Sequence, residues 1–203
     1  AAPLRMNDLW WGAKPVCPAA KQWQDLYIGS LYHAMEKYDY DGVYLDLFIP
    51  FRCKNPAHGC GYVDDNGTRQ AKYTFWAMRE QMKRLYRIVK ARENGYLVDH
   101  VSMVLQPPLQ SFVDAHVNGE QYWRDFALNG EVDYHGILPL DMCQSDLMGR
   151  QWGWIPLWLP MFKTPKLIPD FTASSRQMLS LVLLHDSLVV PAYMDANEYH
   201  QAN

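Results

Sequence analysis

The sequence predicts an α/β protein built on a parallel β-sheet, and three observations predict it. Stretches of helical periodicity alternate with short apolar stretches along the chain. The stretch 42–48 is apolar on both faces except for one acid, as strands of covered parallel sheets are. The order of strand, helix, strand, loop, helix, strand is the order that parallel crossovers produce. Because we find about five or six strands rather than the eight of a (β/α)8 barrel, we expect only the later strands of such a barrel, in a single partial domain over residues 1–203.

The elements follow from spacing and from the turn residues between them. Apolar residues recur every three or four positions from about 19 to 38 and again from 75 to about 90, which predicts two amphipathic helices. Between the helices, residues 49–72 form a long polar segment rich in turn residues, and such a loop is a candidate for function. Further strands are expected at 8–12, 42–48, 96–103, 111–116, 137–142 and 187–193, and a third helix at 174–185.

Composition excludes several classes of protein. Hydrophobic residues make up 49% and charged residues 20% of the 203 residues, so the chain is not intrinsically disordered. The sequence has no run of about 18 apolar residues, so it predicts no membrane-spanning helix. The net charge is −3, whereas nucleic-acid-binding proteins are usually basic, so nucleic acid is not an expected ligand. The 8 Trp and 13 Tyr residues favour a carbohydrate ligand, since sugar rings stack on aromatic side chains.

Acidic residues near the ends of predicted strands are the candidate catalytic groups. Asp46 ends an apolar strand, where parallel α/β folds place their active sites, although it could also cap a loop amide. Asp114 and Glu120 follow later strands, and in a barrel they would face the same opening. Two carboxyl groups that flank a bond are what glycoside hydrolysis requires. Asp141 is a fourth acid of this type, expected to bind a substrate hydroxyl or to be structural.

Three cysteines and one histidine form the candidate metal site. Cys53, His58 and Cys60 lie within eight residues, and Cys17 lies on the loop after an earlier predicted strand. Three thiolates and one imidazole complete a tetrahedral zinc site, which could be structural or catalytic. A disulfide between Cys53 and Cys60 and a set of unpaired thiols are the alternatives.

Aromatic and histidine residues are the candidates for substrate binding. His100, Ser102 and Asp114 have the residue types of a hydrolase triad, but the chain has no Gly-x-Ser-x-Gly segment, so we do not predict one. We instead expect the carbohydrate to be bound by Trp11, His100, Asp141, Trp152, Trp154 and His185.

Several segments resemble bacterial glycosidase-like (β/α)8 proteins related to the catalytic domain of glycoside hydrolase family 123. They are Val16-Cys17-Pro18, Asp41-Gly-Val-Tyr-Leu-Asp46, Cys53-Lys-Asn-Pro-Ala-His-Gly-Cys-Gly-Tyr62, Met82-Lys-Arg-Leu-Tyr86, Ser111-Phe112 and Gly119-Glu-Gln-Tyr122. The resemblance implies sugar cleavage at the strand ends. Family 123 uses an adjacent Asp-Glu pair, which this chain lacks. By position we assign Asp46 as nucleophile or charge stabiliser and Glu120 as acid/base, with Asp114 as the substitute for either.

The sequence therefore predicts a glycoside hydrolase with paired carboxylates at the carboxyl ends of its strands. The alternative is a non-catalytic carbohydrate-binding or structural barrel fragment with a structural zinc site. We expect an extracellular or periplasmic protein and an oligosaccharide or glycoconjugate ligand. A partial barrel also makes the rest of a longer polypeptide, or other subunits, expected partners.

Overall fold

A computed structural model of the chain describes residues 16–102, 105–122, 136, 138–147, 152–160 and 171–192. The chain divides into two compact units. The first unit comprises Ala1–Tyr40 and Pro50–Ile88, and the second comprises Asp41–Ile49 and Val89–Asn203. A single domain over residues 1–203 stays a prediction, and the strand predicted at 8–12 lies outside the described residues.

The first unit contains the two long helices that the apolar spacing predicts. Helix α1 spans Lys21–Tyr38 and helix α2 spans Phe75–Val89. The side chain of Gln24 joins them, because its Nε2 donates to the Pro18 carbonyl at 2.6 Å and to the Ala77 carbonyl at 3.0 Å. The two carbonyl groups lose water on burial, and the hydrogen bonds from this amide replace the hydrogen bonds to water.

The polar segment between the helices folds into two small antiparallel ladders. Strand β2 (Arg52–Cys53) pairs with β5 (Lys72–Tyr73), and β3 (Tyr62–Val63) pairs with β4 (Arg69–Gln70). A 3-10 turn, Pro56–His58, lies between β2 and β3. Ladders this short need other contacts to persist, because an isolated hairpin is marginal in water.

The second unit is built on a parallel sheet of five strands. Their order across the sheet is the same as their order along the chain, and each strand is parallel to its neighbours. All of their carboxyl ends therefore lie at one edge of the sheet, which we call the carboxyl edge, and their amino ends lie at the opposite, amino edge. The strands are β1 (Gly42–Asp46), β6 (Tyr96–His100), β7 (Ala115–Asn118), β8 (Ile155–Trp158) and β9 (Leu188–Val189).

Two predicted strands of the second unit need correction. The described part of the stretch predicted as a strand at 137–142 forms no strand, since α4 occupies Leu140–Asp146. Cys143 in this helix and Leu147 directly after it, four residues apart, are buried in the apolar core. The strand expected at 111–116 begins later, at Ala115, after a short helix α3 (Pro107–Gln110).

Strand β8 is not among the strands that the sequence predicts. Trp158 in this strand is 1% exposed and packs with Met178 and Val182 of α5, which spans Phe171–Leu184. The helix predicted at 174–185 and the α/β class are thereby confirmed, whereas a closed barrel is not shown. The core of this unit lies between the sheet and its later helices.

Pairing of β1 with β6 requires glycine at position 42. A Cβ atom there would lie 2.5 Å from the carbonyl oxygen of Tyr96, the residue opposite it in the ladder. We predict that Gly42→Ala lowers the free energy of unfolding by about 1–3 kcal/mol, since the strand has to move to relieve the clash. Urea denaturation followed by circular dichroism measures the change.

The matched control is Gly29→Ala within α1, where a Cβ atom meets nothing within 4 Å. This substitution should raise stability by about 0.5–1 kcal/mol, because alanine loses less backbone entropy in a helix. Equal effects of the two substitutions would contradict the role of Gly42 in the pairing of the strands.

Candidate metal centre and candidate active site

The structure brings together the four residues that the sequence predicts as metal ligands, all in the first unit. One ligand atom from each of Cys17, Cys53, His58 and Cys60 lies within 4.8 Å of every other. The Sγ atoms of Cys17 and Cys60 are 3.6 Å apart, and Nδ1 of His58 is 3.4 Å from Sγ of Cys60. Cys17 and Cys60 are buried, and the other two are half-buried.

These separations match the edges of a small coordination tetrahedron. Ligands about 2.3 Å from a central zinc ion at tetrahedral angles lie about 3.8 Å from one another. All four cysteines of the chain are free thiols, so the alternative disulfide between Cys53 and Cys60 does not form in this structure. The cluster of three thiols and one imidazole could hold a metal ion such as zinc.

The backbone of the ligand loop is shaped by glycine and by side chains that bind it. Gly61 has a φ of +80°, and a Cβ atom there would lie 2.5 Å from the carbonyl oxygen of Gln70. Arg69 donates through Nε to the carbonyl of Lys54 at 2.7 Å and through Nη2 to the carbonyl of Cys60. The β3–β4 ladder thus holds the backbone on both sides of the 3-10 turn that carries His58.

The thiols of the cluster hold their protons strongly when no ion is bound. Burial, the largest cause, raises the pKa of Cys17 to about 12, and burial also raises the pKa of Cys60. A metal ion binds thiolates, so its binding must displace these protons.

A second cluster lies at the carboxyl edge of the sheet in the second unit. Asp46 ends β1, His100 ends β6, and Glu120 lies two residues beyond β7. Nδ1 of His100 is 3.4 Å from Oδ1 of Asp46, and its Nε2 is 3.5 Å from Oε2 of Glu120. The expectation that Asp46 and Glu120 meet at one edge of the sheet therefore agrees with the structure.

Tyr44 completes this cluster, and the sequence reading did not select it. It lies two residues before Asp46 on β1, so both side chains point to the same face of the sheet. Its hydroxyl is 2.6 Å from Nδ1 of His100. Burial and then the negative charges of Asp46, Glu120 and Asp99 raise the pKa of Tyr44 to about 12, so the hydroxyl keeps its proton.

His100 is the group that both carboxylates approach. Its side chain is 7% exposed, and burial lowers its pKa in spite of the two carboxylates nearby. The ring is therefore neutral at neutral pH, and one of its nitrogens carries a proton while the other accepts. Ser102 lies on the Nε2 side of the ring, and its Oγ is 3.2 Å from Nε2 of His100.

Two unusual backbone conformations direct the chain at this edge. Leu47, directly after Asp46, has a φ of +54°, which is strained for a branched residue. Gly119, directly before Glu120, has a φ of +117°, and a Cβ atom there would lie 2.6 Å from the carbonyl oxygen of Leu159. Such strain is often found next to functional residues, and here it flanks both carboxylates.

Asp114 does not share this edge, and the expectation that it does is wrong. It lies directly before β7 rather than after a strand, so it belongs to the amino edge. Its Oδ2 accepts from the backbone N–H of Leu97 at 2.8 Å, and its Oδ1 pairs with Lys90 at 2.5 Å. A triad of His100, Ser102 and Asp114 is excluded by the same placement.

Two of the tryptophans expected to bind the carbohydrate also lie away from the carboxyl edge. Trp152 and Trp154 precede β8, which puts them at the amino edge, and their rings stack with centroids 6.4 Å apart. Trp154 is 2% exposed, so it is a core residue and not a surface for a sugar. Trp11 lies outside the described residues.

Asp141 and His185 have local structural roles. Asp141 is exposed in the first turn of α4, where its Oδ1 accepts from the backbone N–H of Met142 at 3.0 Å. His185 follows α5 and precedes β9, and its backbone N–H donates to the carbonyl of Leu181 at 3.0 Å. The backbone of His185 thus continues the hydrogen bonding of α5, and the residue lies before β9 rather than after a strand end.

A buried hydrogen-bonded pair on the other face of the sheet was not predicted from the sequence. Nδ1 of His116 is 2.8 Å from Oδ1 of Asp99, and both side chains are almost fully buried. The two residues face each other in the β6–β7 ladder. Because neighbouring residues of a strand point to opposite faces, this pair lies behind His100 rather than beside it.

No family model, no curated protein and no solved structure matches this chain. The resemblance to glycosidase-like barrels therefore stays a prediction, and function has to be inferred from the sites themselves. Among the described helices, none combines the length and apolar character needed to cross a bilayer.

We predict that the purified chain binds one zinc ion through the Cys17, Cys53, His58 and Cys60 cluster. Cys60→Ser should abolish stoichiometric binding, because Cys60 is buried and contacts two of the other ligands. Elemental analysis after gel filtration measures the zinc content. Cys143→Ala is the control, since Cys143 is a core residue outside the cluster, and wild-type zinc content in Cys60→Ser would refute the assignment.

Proposed function

We propose that this protein is a glycoside hydrolase that acts on a carbohydrate through Asp46 and Glu120. The observation that carries the proposal is their convergence, since carboxylates from two different strand ends lie 3.4 and 3.5 Å from the two nitrogens of one histidine ring. Hydrolysis of a glycosidic bond needs one carboxyl group to protonate the leaving oxygen and another to face the positive charge at the sugar carbon.

The position of the pair in the fold supports the same proposal. Active sites of parallel α/β folds lie at the carboxyl ends of the strands, where the loops open. The five strands follow one another across the sheet in chain order, without the reversal that divides an open doubly wound sheet. We therefore propose that they belong to a (β/α)8 barrel, in which this edge lines the mouth.

The two carboxyl groups differ in their exposure to water, and a pair made of a general acid and a charged carboxylate needs unequal environments. The side chain of Asp46 is 62% exposed and that of Glu120 is 33% exposed. Unequal solvation is the usual way in which one carboxyl group stays protonated beside an ionised one.

For the first unit we propose a structural zinc ion. The cluster supplies four protein ligands, which fill a tetrahedral site and leave no position for water or substrate. The ligands come from the start of α1 and from the loop that the two small ladders form. Zinc would thus tie together a segment whose own strands are only two residues long.

We predict that Asp46→Asn and Glu120→Gln each lower kcat/KM by about 100-fold or more, because each removes a carboxyl group needed in the transition state. A panel of 4-nitrophenyl glycosides of hexoses, pentoses and N-acetylhexosamines provides the assay. Circular dichroism checks that the variants remain folded.

Asp114→Asn is the matched control, because Asp114 lies at the amino edge and pairs with Lys90. It should leave kcat/KM within roughly three-fold of wild type, although it weakens the protein. A wild-type chain that cleaves no glycoside of the panel, or full activity in Asp46→Asn, would contradict the proposed function.

The charge of the site predicts its preference among sugars. The described residues that directly follow the five strands include no Lys or Arg, whereas two carboxylates lie there. We expect neutral hexosides to be cleaved at least about 10-fold better, by kcat/KM, than the matching hexuronides, since an anionic sugar is repelled. Added salt should narrow the difference, and faster cleavage of the hexuronide would contradict this reading.

A further inference from the structure

An aromatic ring next to Asp46 is left uncovered at the carboxyl edge of the sheet. Tyr44 is 55% exposed, although its hydroxyl lies 2.6 Å from Nδ1 of the buried His100. Because the hydroxyl end of the ring lies against a buried group, the exposure belongs mainly to the carbon surface of the ring. Exposed aromatic carbon is a surface on which the C–H face of a sugar packs.

The ring of Tyr44 is held in one orientation. Its Cα belongs to the β1–β6 ladder, where Tyr44 lies opposite Val98, and its far end is fixed by the contact of the hydroxyl with His100. The centroids of the Tyr44 and His100 rings are 6.0 Å apart and their planes are tilted by 58°, so His100 does not cover the tyrosine ring face to face. A ring that is already ordered loses little conformational entropy when a ligand binds.

The spacing between Tyr44 and Asp46 suits one sugar ring. The two residues are two positions apart on β1, so their side chains point to the same face at a separation of about 6.5 Å along the strand. A six-membered sugar ring that lies on Tyr44 can therefore reach the carboxyl group of Asp46 with one of its carbons. Glu120 approaches the same histidine from the other side, at its Nε2.

Tyr44 differs in exposure from the other aromatic residues near the carboxyl edge. Within the described part of the second unit these are Phe48, Tyr122 and Trp158, and each of them is buried. Trp158 packs in the core with α5, and Tyr122 donates through its hydroxyl to Oδ2 of Asp146 at 2.9 Å. The exposed ring at this edge is thus the one beside the candidate catalytic carboxylate.

We propose that Tyr44 is the sugar-binding residue of this site, and that a neutral hexopyranoside packs one face of its ring on the phenol. A hexopyranoside fits because several of its C–H bonds point to the same side of the ring and bury apolar surface there. That this sugar is the one next to the cleaved bond rests on the proposed function. Binding of the sugar to Tyr44 does not, since it needs no reaction.

Two substitutions separate the flat ring from the rest of the side chain. Tyr44→Leu keeps apolar bulk but removes the flat surface, whereas Tyr44→Phe keeps the flat surface but removes the hydroxyl. We expect the dissociation constants of methyl hexopyranosides to rise about 10-fold or more in Tyr44→Leu, because a branched side chain cannot lie flat against the sugar. Tyr44→Phe should recover most of this loss.

Nuclear magnetic resonance titration of the full chain, labelled with 15N, measures these dissociation constants. The probes are the methyl pyranosides of glucose, galactose and N-acetylglucosamine, and the backbone amide signals report their binding. Methyl glycosides are chosen because they carry no aromatic group that could itself stack on Tyr44. Circular dichroism checks that the variants remain folded.

The 4-nitrophenyl glycosides of the activity assay add a second readout. If the sugar packs on Tyr44, Tyr44→Leu raises KM for these substrates and the inhibition constant of the matching methyl glycoside by the same factor. A rise in KM alone would mean that the ring binds the nitrophenyl group rather than the sugar, and would overturn the proposal.

Trp152→Ala is the matched control. Trp152 is 52% exposed in the same unit, but it lies before β8, at the amino edge. Its substitution removes no contact at the carboxyl edge, so the dissociation constants should stay within about two-fold of the wild-type values. Wild-type binding in Tyr44→Leu, an equal loss in Trp152→Ala, or a loss in Tyr44→Phe as large as in Tyr44→Leu would each overturn the assignment.

The proposed function and the role of Tyr44 fail separately. If the wild type binds a methyl hexopyranoside through Tyr44 but cleaves no glycoside, the hydrolase is wrong and the sugar-binding ring stands. If the wild type cleaves glycosides but Tyr44→Leu binds the methyl glycosides as tightly, the hydrolase stands and the role of Tyr44 is wrong. A wild type that neither binds nor cleaves any of these sugars overturns both.

Discussion

The candidate active site depends on the parallel register of three strands. Pairing of Asp46 with His100 in the β1–β6 ladder puts the ends of two strands side by side, and the β6–β7 ladder brings the turn that carries Glu120 next to them. A shift of one residue would send His100 to the opposite face, where Asp99 now lies. Glycines at 42 and 119 permit this register, because a Cβ atom at either position would meet a backbone oxygen.

The two clusters differ in how their ionisable groups are exposed to water. In the cysteine cluster, burial raises the pKa of Cys17, so this thiol keeps its proton while no ion is bound. An ion such as zinc would displace the thiol protons, and the negative thiolates would then neutralise its positive charge. The carboxylate cluster stays at the edge of the sheet, where water reaches Asp46 more than Glu120. A neutral histidine between the two carboxyl groups avoids the free-energy cost of a further buried charge.

Local patterns predicted much of this protein. The apolar spacing predicted α1 and α2 within about two residues. The cluster that could hold a metal ion was recognised because its residue types and the short spacing of three of them are uncommon by chance. Predictions failed where tertiary packing overrode the local pattern. The strand predicted up to position 142 is replaced by a helix in which Cys143, and Leu147 four residues later, pack in the core while Leu140 and Met142 stay exposed. The tryptophans before β8 lie at the amino edge, away from Asp46.

The sequence by itself determined the α/β class, the four candidate metal ligands and the candidacy of Asp46 and Glu120, since each follows from residue type, spacing or position relative to a strand. Only the tertiary structure decided that Asp114 faces the amino edge, that Tyr44 joins the cluster, and that His100 lies between the two carboxylates. The physical reason is strand register. A difference of a few residues in where a strand begins moves a side chain to the other edge or the other face, and neighbouring strands rather than the local sequence fix that beginning.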